Sequence, residues 1–168
     1  MQQLLILRHA DAALWEPGGD DFSRPLSEAG MLHAESVARY ITAKLQSPQR
    51  ILCSSARRTR ETLQPLLSIQ ARLKKVTRFD PQIYNARVET LTALLDFAFA
   101  ENDRILMVGH NPGASHLASR VIAGSAGAAI SGLAPGTLAV VDFESGWEIG
   151  TGRGCLDRVV SYGDLSVD

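Results

Sequence analysis

The sequence predicts a single α/β domain, because short apolar strands alternate along the chain with amphipathic helices. The first predicted strand, at residues 3–8, leads through a loop to a helix with inward-facing apolar spacing at 27–45. A later apolar strand at 104–108 is again followed by a helical segment. Such alternation is typical of a sheet covered by helices. Since no linker or repeat interrupts the sequence, we expect one domain over residues 1–168.

The other elements follow from the same patterns. Residues 10–26 lack periodicity and contain Pro and Gly, which predicts a loop, and Ser27 is the expected N-cap of the first helix. Pro65 is expected to kink or split the helix in which it lies. The remaining predictions up to residue 123 are strands at 50–53 and 75–79 and helices at 56–70, 87–100 and 113–123.

The last third of the chain is predicted to begin irregularly and end as β-structure. Residues 124–136 are rich in Gly, Ala and Ser, which predicts a flexible loop. A β-hairpin is expected from the strand LAVVDF at 138–143, a turn at 145–146 and a second strand around 147–149. The segment VVSY at 159–162 predicts a further edge strand.

Composition argues against several classes of protein. The formal net charge is −1, so neither nucleic acid nor an anionic membrane is the expected partner. The apolar runs are shorter than the ~20 residues of a membrane span, and no secretory signal pattern is present. The two cysteines, Cys53 and Cys155, are expected to be free, with Cys53 buried. We therefore expect a soluble cytoplasmic protein. We also expect a monomer.

Two histidines directly follow apolar strands. His9 comes after Arg8 in LLILRHA, and His110 comes after ILMVG. In open α/β sheets ligands bind at the carboxyl ends of the strands, so these side chains are expected in one site. A neutral imidazole can attack phosphorus, and a forked guanidinium matches phosphate oxygens. The sequence therefore predicts phosphoryl transfer with His9 as the nucleophile; a histidine that only caps a strand is the alternative.

A cluster of arginines follows the strand at 50–53. Arg57, Arg58 and Arg60 lie at the expected N-terminus of a helix, which favours an anion. Because neighbouring helical residues diverge by about 100°, one arginine is expected to point into the site while the others face solvent or pair with Glu61.

Other polar residues are less well defined by the sequence. Asn111 shapes the turn after the second histidine, and Arg24 is a candidate to line the mouth of the site, with a solvated loop as the alternative. His33 and His116 fall within predicted helices without accompanying carboxylates or cysteines. We expect ordinary helix residues there rather than metal ligands.

Four motifs, in consistent order over nearly the whole chain, resemble the histidine phosphatase superfamily and within it the short SixA-like phosphohistidine phosphatases. Ala10 stands where the Arg-His-Gly signature of the family usually has glycine. The family pattern places the phosphate-binding arginine four residues before a threonine, which selects Arg58 when counted back from Thr62. The motifs are LLILRHADA at 4–12, RPLSEAG at 24–30, SSARRTRET at 54–62 and VGHNPG at 108–113.

This resemblance implies a three-layer α/β/α sandwich with a mixed, mostly parallel sheet. It also implies a phosphate pocket of Arg8, His9, Arg58 and His110, with His9 accepting the phosphoryl group and no metal or other cofactor. Arg24 and Asn111 are further candidates to bind substrate.

Larger members of the superfamily use a carboxylate as general acid, and the SixA-like branch typically lacks it. Asp80 and Glu89 lie in the corresponding segment but in no clear acid motif. An imidazole with a pKa near ~6.5 can leave phosphorus as the neutral ring, whereas an alkoxide needs a proton donor. We therefore expect a metal-independent phosphatase for phosphohistidine on a signalling or phosphocarrier protein. A small-molecule phosphomonoesterase and a non-catalytic phosphate-binding module are the alternatives.

Overall fold

A six-stranded sheet with helices on both faces forms the core of the computed structural model, which describes residues 1–122, 130, 132–144, 146–147 and 154–165. The strands are β1 Gln2–Arg8, β2 Arg50–Ser54, β3 Thr77–Asp80, β4 Arg104–Gly109, β5 Leu138–Phe143 and β6 Cys155–Val160. The helices are α1 Glu28–Lys44, α2 Arg57–Ile69, α3 Val88–Phe99, α4 Gly113–Val121 and α5 Tyr162–Leu165, with 3-10 turns at Ala71–Val76 and Pro81–Ile83.

The sheet is mixed and mostly parallel, which confirms the expected architecture. Its strand order is β3-β2-β4-β1-β5-β6. The first four strands are parallel, and β5 pairs antiparallel with β1 and β6. Arg8 at the end of β1 is aligned with Gly109 at the end of β4. The residues that follow these two strands therefore emerge side by side.

The alternation of side chains along β1 explains the three layers. Leu4 and Ile6 pack with α3 and α4 on one face of the sheet, whereas Leu5 and Leu7 pack with α1 and α2 on the other. All four side chains are buried. Burial of one such side chain contributes about 1.5–3 kcal/mol to the free energy of folding. Because β1 buries apolar side chains on both faces, it packs against both helix layers.

Helix α1 begins where the sequence predicts. The Ser27 hydroxyl oxygen accepts a hydrogen bond from the Gly30 N–H at 3.0 Å, as an N-cap does. Helix α2 is not split at Pro65, since it continues from Arg57 to Ile69; a kink at the proline stays a prediction. Leu63 and Leu66, close to the proline on either side, are both buried.

The predicted hairpin is wrong in its second strand. The first strand, 138–143, is β5, but its antiparallel partner on the outer side is β6 at 155–160. Strand β6 includes the first two residues of VVSY and forms an edge of the sheet, as expected. Of the predicted turn and second strand, residues 145 and 148–149 lie outside the described residues.

Trp147, the first residue of the predicted second strand, lies outside any strand. Its indole ring stacks on Phe99 with 4.9 Å between ring centroids, and its Nε1–H donates to Asp96 at 2.6 Å. Packing against α3 thus accounts for an apolar residue at this position. Most of the predicted loop at 124–136, namely 124–129 and 131, also lies outside the described residues.

The cysteines are both free, as expected. Cys53 is fully buried in β2, and burial raises the pKa of its thiol to about 12. Cys155 is exposed. None of the described helices is long and apolar enough to cross a membrane.

Candidate active site

Side chains from the ends of three neighbouring strands converge at one edge of the sheet. Arg8 ends β1, Ser54 ends β2 and His110 directly follows β4. The backbone N–H of His9 donates to the Gly109 carbonyl at 3.0 Å, which extends the pairing of β1 with β4 by one residue. The rings of His9 and His110 lie 5.1 Å apart between centroids. The structure thus brings together the two histidines that the sequence places at strand ends.

The ring of His9 is held in one tautomer by its contacts. Its Nδ1 lies 2.7 Å from the Ala10 carbonyl oxygen, which can only accept, so Nδ1 carries the proton. Its Nε2 accepts from the Nε–H of Arg58 at 3.3 Å. The unprotonated Nε2 is therefore the atom that can act as a nucleophile.

Burial and nearby cations keep His9 neutral. Burial lowers the pKa of His9 to about 4; the bond to Ala10 raises it, and the charges of Arg58, Arg8 and Arg24 lower it further. A nucleophilic imidazole must be unprotonated on the attacking nitrogen. At neutral pH almost every molecule meets this condition.

His110 offers a nitrogen without a partner. Its Nε2 lies 2.8 Å from the Ser54 hydroxyl, while its buried Nδ1 has no hydrogen-bond partner among the described residues. Burial, followed by the charge of Arg58, lowers the pKa of His110 to about 3, so this ring is also neutral. When Ser54 donates to Nε2, the proton of the ring resides on Nδ1. His110 then presents an N–H group to a ligand.

Arg58 is the arginine of α2 that enters the site, as the family pattern implies. Its side chain is almost fully buried, and its Nε–H points to His9. Arg57 is exposed and pairs with Glu61 at 2.7 Å, and Arg60 lies over the ring of Phe79. Arg58 is thus buried whereas Arg57 and Arg60 are exposed; a role of Arg58 in binding phosphate stays a prediction.

Three buried N–H positions around the site lack an acceptor among the described residues. They are the Nε of Arg8, the Nε of Arg24 and the Nδ1 of His110. Arg8 is fixed by a 2.7 Å bond from Nη1 to the Leu133 carbonyl. Buried donors normally find acceptors, because an unpaired buried polar group costs about 1–3 kcal/mol. Unpaired buried donors on three residues near His9 indicate a site for an oxyanion.

Asp21 and Tyr84 lie in the site but were not assigned to it from the sequence. The Asp21 carboxylate accepts from the Tyr84 hydroxyl at 2.7 Å and pairs with Arg58 and Arg24, each at 3.1 Å. The spacing of Asp21 three residues before Arg24 is a weak signal that could have identified it. Tyr84 follows a short 3-10 turn, and no pattern in the sequence marks it.

The side chain of Asn111 is committed to the protein. Its Nδ2 donates to the Leu133 carbonyl at 2.9 Å, and its Oδ1 accepts from the Ser115 hydroxyl at 2.7 Å. These bonds tie the turn after β4 to residue 133, which also binds Arg8. A contact between Asn111 and substrate stays a prediction.

The two carboxylates that the sequence left open have other partners. Asp80 is buried, caps the following 3-10 turn through the Gln82 N–H and pairs with Arg78 at 2.9 Å. Glu89 is 68% exposed and pairs with Arg120 of α4.

The remaining histidines lie outside the site. His33 stacks on Tyr162 with 3.8 Å between centroids, and His116 is exposed on α4. Among the residues that the structure describes, no group of three or more His, Cys, Asp or Glu side chains is arranged to hold a metal ion.

The sequence of this chain was compared with protein-family models and with curated proteins. No protein-family model matches the chain. An uncharacterized chloroplast protein of Arabidopsis thaliana is 31% identical over 126 residues, which cover 70% of this chain and 58% of the relative. The match therefore spans less than two thirds of that protein.

Solved structures match over almost the full chain. A SixA protein of Agrobacterium tumefaciens, whose phosphohistidine phosphatase activity is itself a prediction, is 31% identical with a TM-score of 0.79, over 95% of this chain and 98% of that one. The α-ribazole phosphatase of Shigella flexneri has a TM-score of 0.69 at 16% identity over 99% of both chains, which shows a shared fold only. The chain belongs to the histidine phosphatase superfamily, in its SixA-like branch.

Proposed function

We propose that this protein is a phosphatase that forms a phosphohistidine on His9 and dephosphorylates phosphohistidine on a signalling or phosphocarrier protein. One observation carries the proposal. The unprotonated Nε2 of His9 lies in the same site as buried N–H donors of Arg8, Arg24 and His110 that have no acceptor among the described residues. A nucleophile surrounded by such donors suits a phosphoryl group, whose oxygens carry the charge during transfer.

In the first step the hydrogen bond from Arg58 Nε–H to His9 Nε2 breaks, the freed Nε2 lone pair forms a bond to phosphorus, and the released N–H of Arg58 donates to a phosphoryl oxygen. The P–N bond to the substrate imidazole breaks, and its electrons return to that ring, which leaves as neutral imidazole if its other nitrogen is protonated. His9 then carries a positive charge shared over the ring. The Ala10 carbonyl, 2.7 Å from Nδ1, stabilises that charge by accepting the Nδ1–H bond.

In the second step water attacks phosphorus and the P–N bond to His9 breaks. The electron pair returns to Nε2, and both protons of the water leave with the product as dihydrogen phosphate. Arg8, Arg58 and His110 would hold the phosphoryl oxygens in both steps, as electrostatic stabilisation of phosphoryl transfer requires.

The state of the carboxylates near the site favours a substrate whose leaving group needs no general acid. Asp80 and Glu89 are engaged elsewhere. Asp21 does lie in the site, but hydrogen bonding from Tyr84 and the charge of Arg58 lower the pKa of its carboxyl group. An ionised carboxylate cannot protonate an alkoxide. A phosphoramidate is therefore the better substrate class than a sugar phosphate.

Substrate profiling tests this assignment. We expect kcat/KM for a phosphohistidine peptide to exceed that for a sugar phosphate by at least about 100-fold in EDTA, the lower end of what a general acid contributes. The reverse preference would indicate a small-molecule phosphomonoesterase. Tight binding of phosphate with no turnover of either substrate would indicate a binding module. A cytoplasmic location and a monomeric state remain predictions from the sequence.

A further inference from the structure

We propose that Asp21 is a positioning residue that acts through Arg58. Together with Tyr84, it fixes the guanidinium so that Nε–H, rather than an outer nitrogen, faces His9. This role rests on the proposed function, because it concerns the same site.

Asp21 binds Arg58 through both its side chain and its backbone. The Asp21 carbonyl accepts from Nη1 of Arg58 at 2.6 Å, and its carboxylate accepts from Nη2 at 3.1 Å. Both outer nitrogens of the guanidinium are thus engaged on one side. The planar group is left with its Nε–H directed at His9 Nε2, 3.3 Å away. A guanidinium held at three positions has one orientation.

Tyr84 fixes the carboxylate in turn. Its hydroxyl donates to the same oxygen, Oδ2, that binds Arg58, at 2.7 Å. The ring of Tyr84 lies edge-on to the ring of His110, with 5.4 Å between centroids. The Cζ atom of Arg58 lies 5.8 Å from the centroid of the Tyr84 ring. Tyr84 therefore contacts the residues that Asp21 is proposed to organise.

The loop that carries Asp21 is anchored independently of its carboxylate. The Phe22 carbonyl accepts from the Arg57 N–H at 3.0 Å, and the Phe22 ring packs edge-on against Tyr84 at 5.1 Å. Arg24 holds the second carboxylate oxygen at 3.1 Å. The Asp21 carboxylate is thus fixed by three donors on an anchored loop. A carboxylate held in this way is suited to orient Arg58 rather than to compete with phosphate for it.

The charge of Asp21 predicts a distinctive kinetic effect. In Asp21→Asn, Arg58 loses its charged partner and keeps the backbone carbonyl of residue 21 as its main contact on that side. Its orientation is then less fixed, so kcat is expected to fall by about 10-fold or more, against the ~10²–10³ typical for removing a whole oxyanion donor. The same change removes a negative charge that repels a phosphoryl dianion. These effects oppose each other in binding, so KM is expected to change less than about 3-fold.

The kinetic test compares Asp21→Asn in two backgrounds. In the wild-type background kcat falls as above, whereas in Arg58→Ala the same substitution changes kcat by less than about 2-fold, because no guanidinium remains to be positioned. Asp20→Asn is the matched control: Asp20 lies in the same loop and binds Ser23 and the Phe22 N–H, not Arg58. Tyr84→Phe should give a smaller loss of kcat of the same kind.

Three kinetic outcomes would overturn the proposal. Equal losses in both backgrounds would mean that Asp21 acts independently of Arg58. No loss of kcat in the wild-type background would mean that Arg58 does not need Asp21 to orient it. A gain in kcat/KM with a lower KM would mean that Asp21 competes with the substrate.

A second test does not depend on turnover. We expect the Nε–H resonance of Arg58 in ¹H–¹⁵N spectra, identified by its loss in Arg58→Lys, to be protected from solvent exchange in wild type and Asp20→Asn. That protection should decrease in folded Asp21→Asn; undiminished protection would contradict the proposal. A wild type inactive on every phosphorylated substrate would refute the proposed function, while the spectra would still decide whether Asp21 holds Arg58.

Discussion

At the residue scale, the two histidines of the site present complementary atoms. The Ala10 carbonyl holds the proton of His9 on Nδ1, which leaves Nε2 as a lone pair. Ser54 binds Nε2 of His110, which leaves Nδ1 facing no protein partner among the described residues. One ring can attack phosphorus while the other donates to its oxygens. Neighbouring groups thus give two identical side chains different chemistry.

Replacement of His110 tests its assignment as a donor. We expect His110→Gln to lower kcat by about 10²–10³-fold, because the oxygens lose a donor when charge builds on them. Steady-state kinetics on p-nitrophenyl phosphate measure the effect. The control is His116→Gln, on the exposed side of α4, which should leave kcat unchanged. A kcat for His110→Gln within about 3-fold of wild type would refute the role.

The same histidines predict a dependence of stability on pH. Their pKa values are lowered to about 4 for His9 and about 3 for His110, whereas in the unfolded chain both titrate near ~6.5. The unfolded state therefore binds more protons below pH 6.5. The contribution of the two neutral histidines to the free energy of unfolding is fully present above this pH. It decreases as the pH falls toward 4, by about 2–3 kcal/mol per histidine.

Urea unfolding at pH 7, 6, 5 and 4.5 measures this loss. Protonation of carboxylates with lowered pKa values, such as Asp21, also decreases the free energy of unfolding as the pH falls. The informative quantity is therefore the difference in pH dependence between wild type and a variant. We expect the pH dependence to become shallower in His9→Asn combined with His110→Asn. Parallel curves for wild type and the double variant would contradict the argument.

The residues of the site differ in how far the sequence reveals them. Arg8, His9 and His110 follow apolar strands, and strand ends converge in an open sheet, so their meeting could be predicted. Asp21 and Tyr84 reach the site from a loop and from the segment after a 3-10 turn. The path of such segments depends on tertiary contacts rather than on a repeating pattern, so the position of these two residues in the site could not be predicted.

At the element scale, the position of the loop after β1 depends on close packing of α1. A Cβ atom at Gly30 would overlap the Asp11 carbonyl oxygen, so α1 can approach the loop only with glycine at this position. Asp11 also accepts from the Ser27 hydroxyl at 2.6 Å. The first turn of α1 therefore supports the backbone two residues after His9.

Substitution of Gly30 tests this support. We expect Gly30→Ala to cost about 1–3 kcal/mol, because overpacking forces the helix or the loop to move. The midpoint of thermal unfolding should fall by about 5 °C or more, and kcat should fall with it. Gly132→Ala is the control, since a Cβ there has no neighbouring atom within 4 Å. Equal unfolding midpoints for the two variants would contradict the packing argument.

Most elements were predictable because their apolar periodicity matches their burial. The bounds of α1 and α2 agree with the predictions to within one residue, and β5 agrees exactly in extent with LAVVDF. The second strand of the hairpin was wrong because Trp147 packs on α3 instead of entering the sheet. An apolar residue in a short segment indicates burial but does not specify the partner.

At the scale of the whole molecule, the site couples segments that are distant in sequence. Residues from the ends of β1, β2 and β4, the start of α2 and the loop around Asp21 all contribute to it. A ligand that binds this assembled site and not the unfolded chain must stabilise the entire domain.

Phosphate should therefore raise the midpoint of thermal unfolding. At 100 times its Kd, inorganic phosphate is expected to add about 2.7 kcal/mol to the free energy of unfolding. Chloride at the same ionic strength provides the control, and EDTA should not diminish the shift. In Arg58→Ala we expect the shift to shrink strongly. A midpoint that phosphate leaves unchanged, or raises equally in this variant, would contradict the proposed anion site.

The central claim is that His9 accepts the phosphoryl group from phosphohistidine. The most direct measurement is release of inorganic phosphate from a histidine-phosphorylated carrier protein in EDTA, with wild type and His9→Ala side by side. The account predicts fast release by wild type and none above background by the variant. Equal release by both proteins, or no release by wild type, would contradict it.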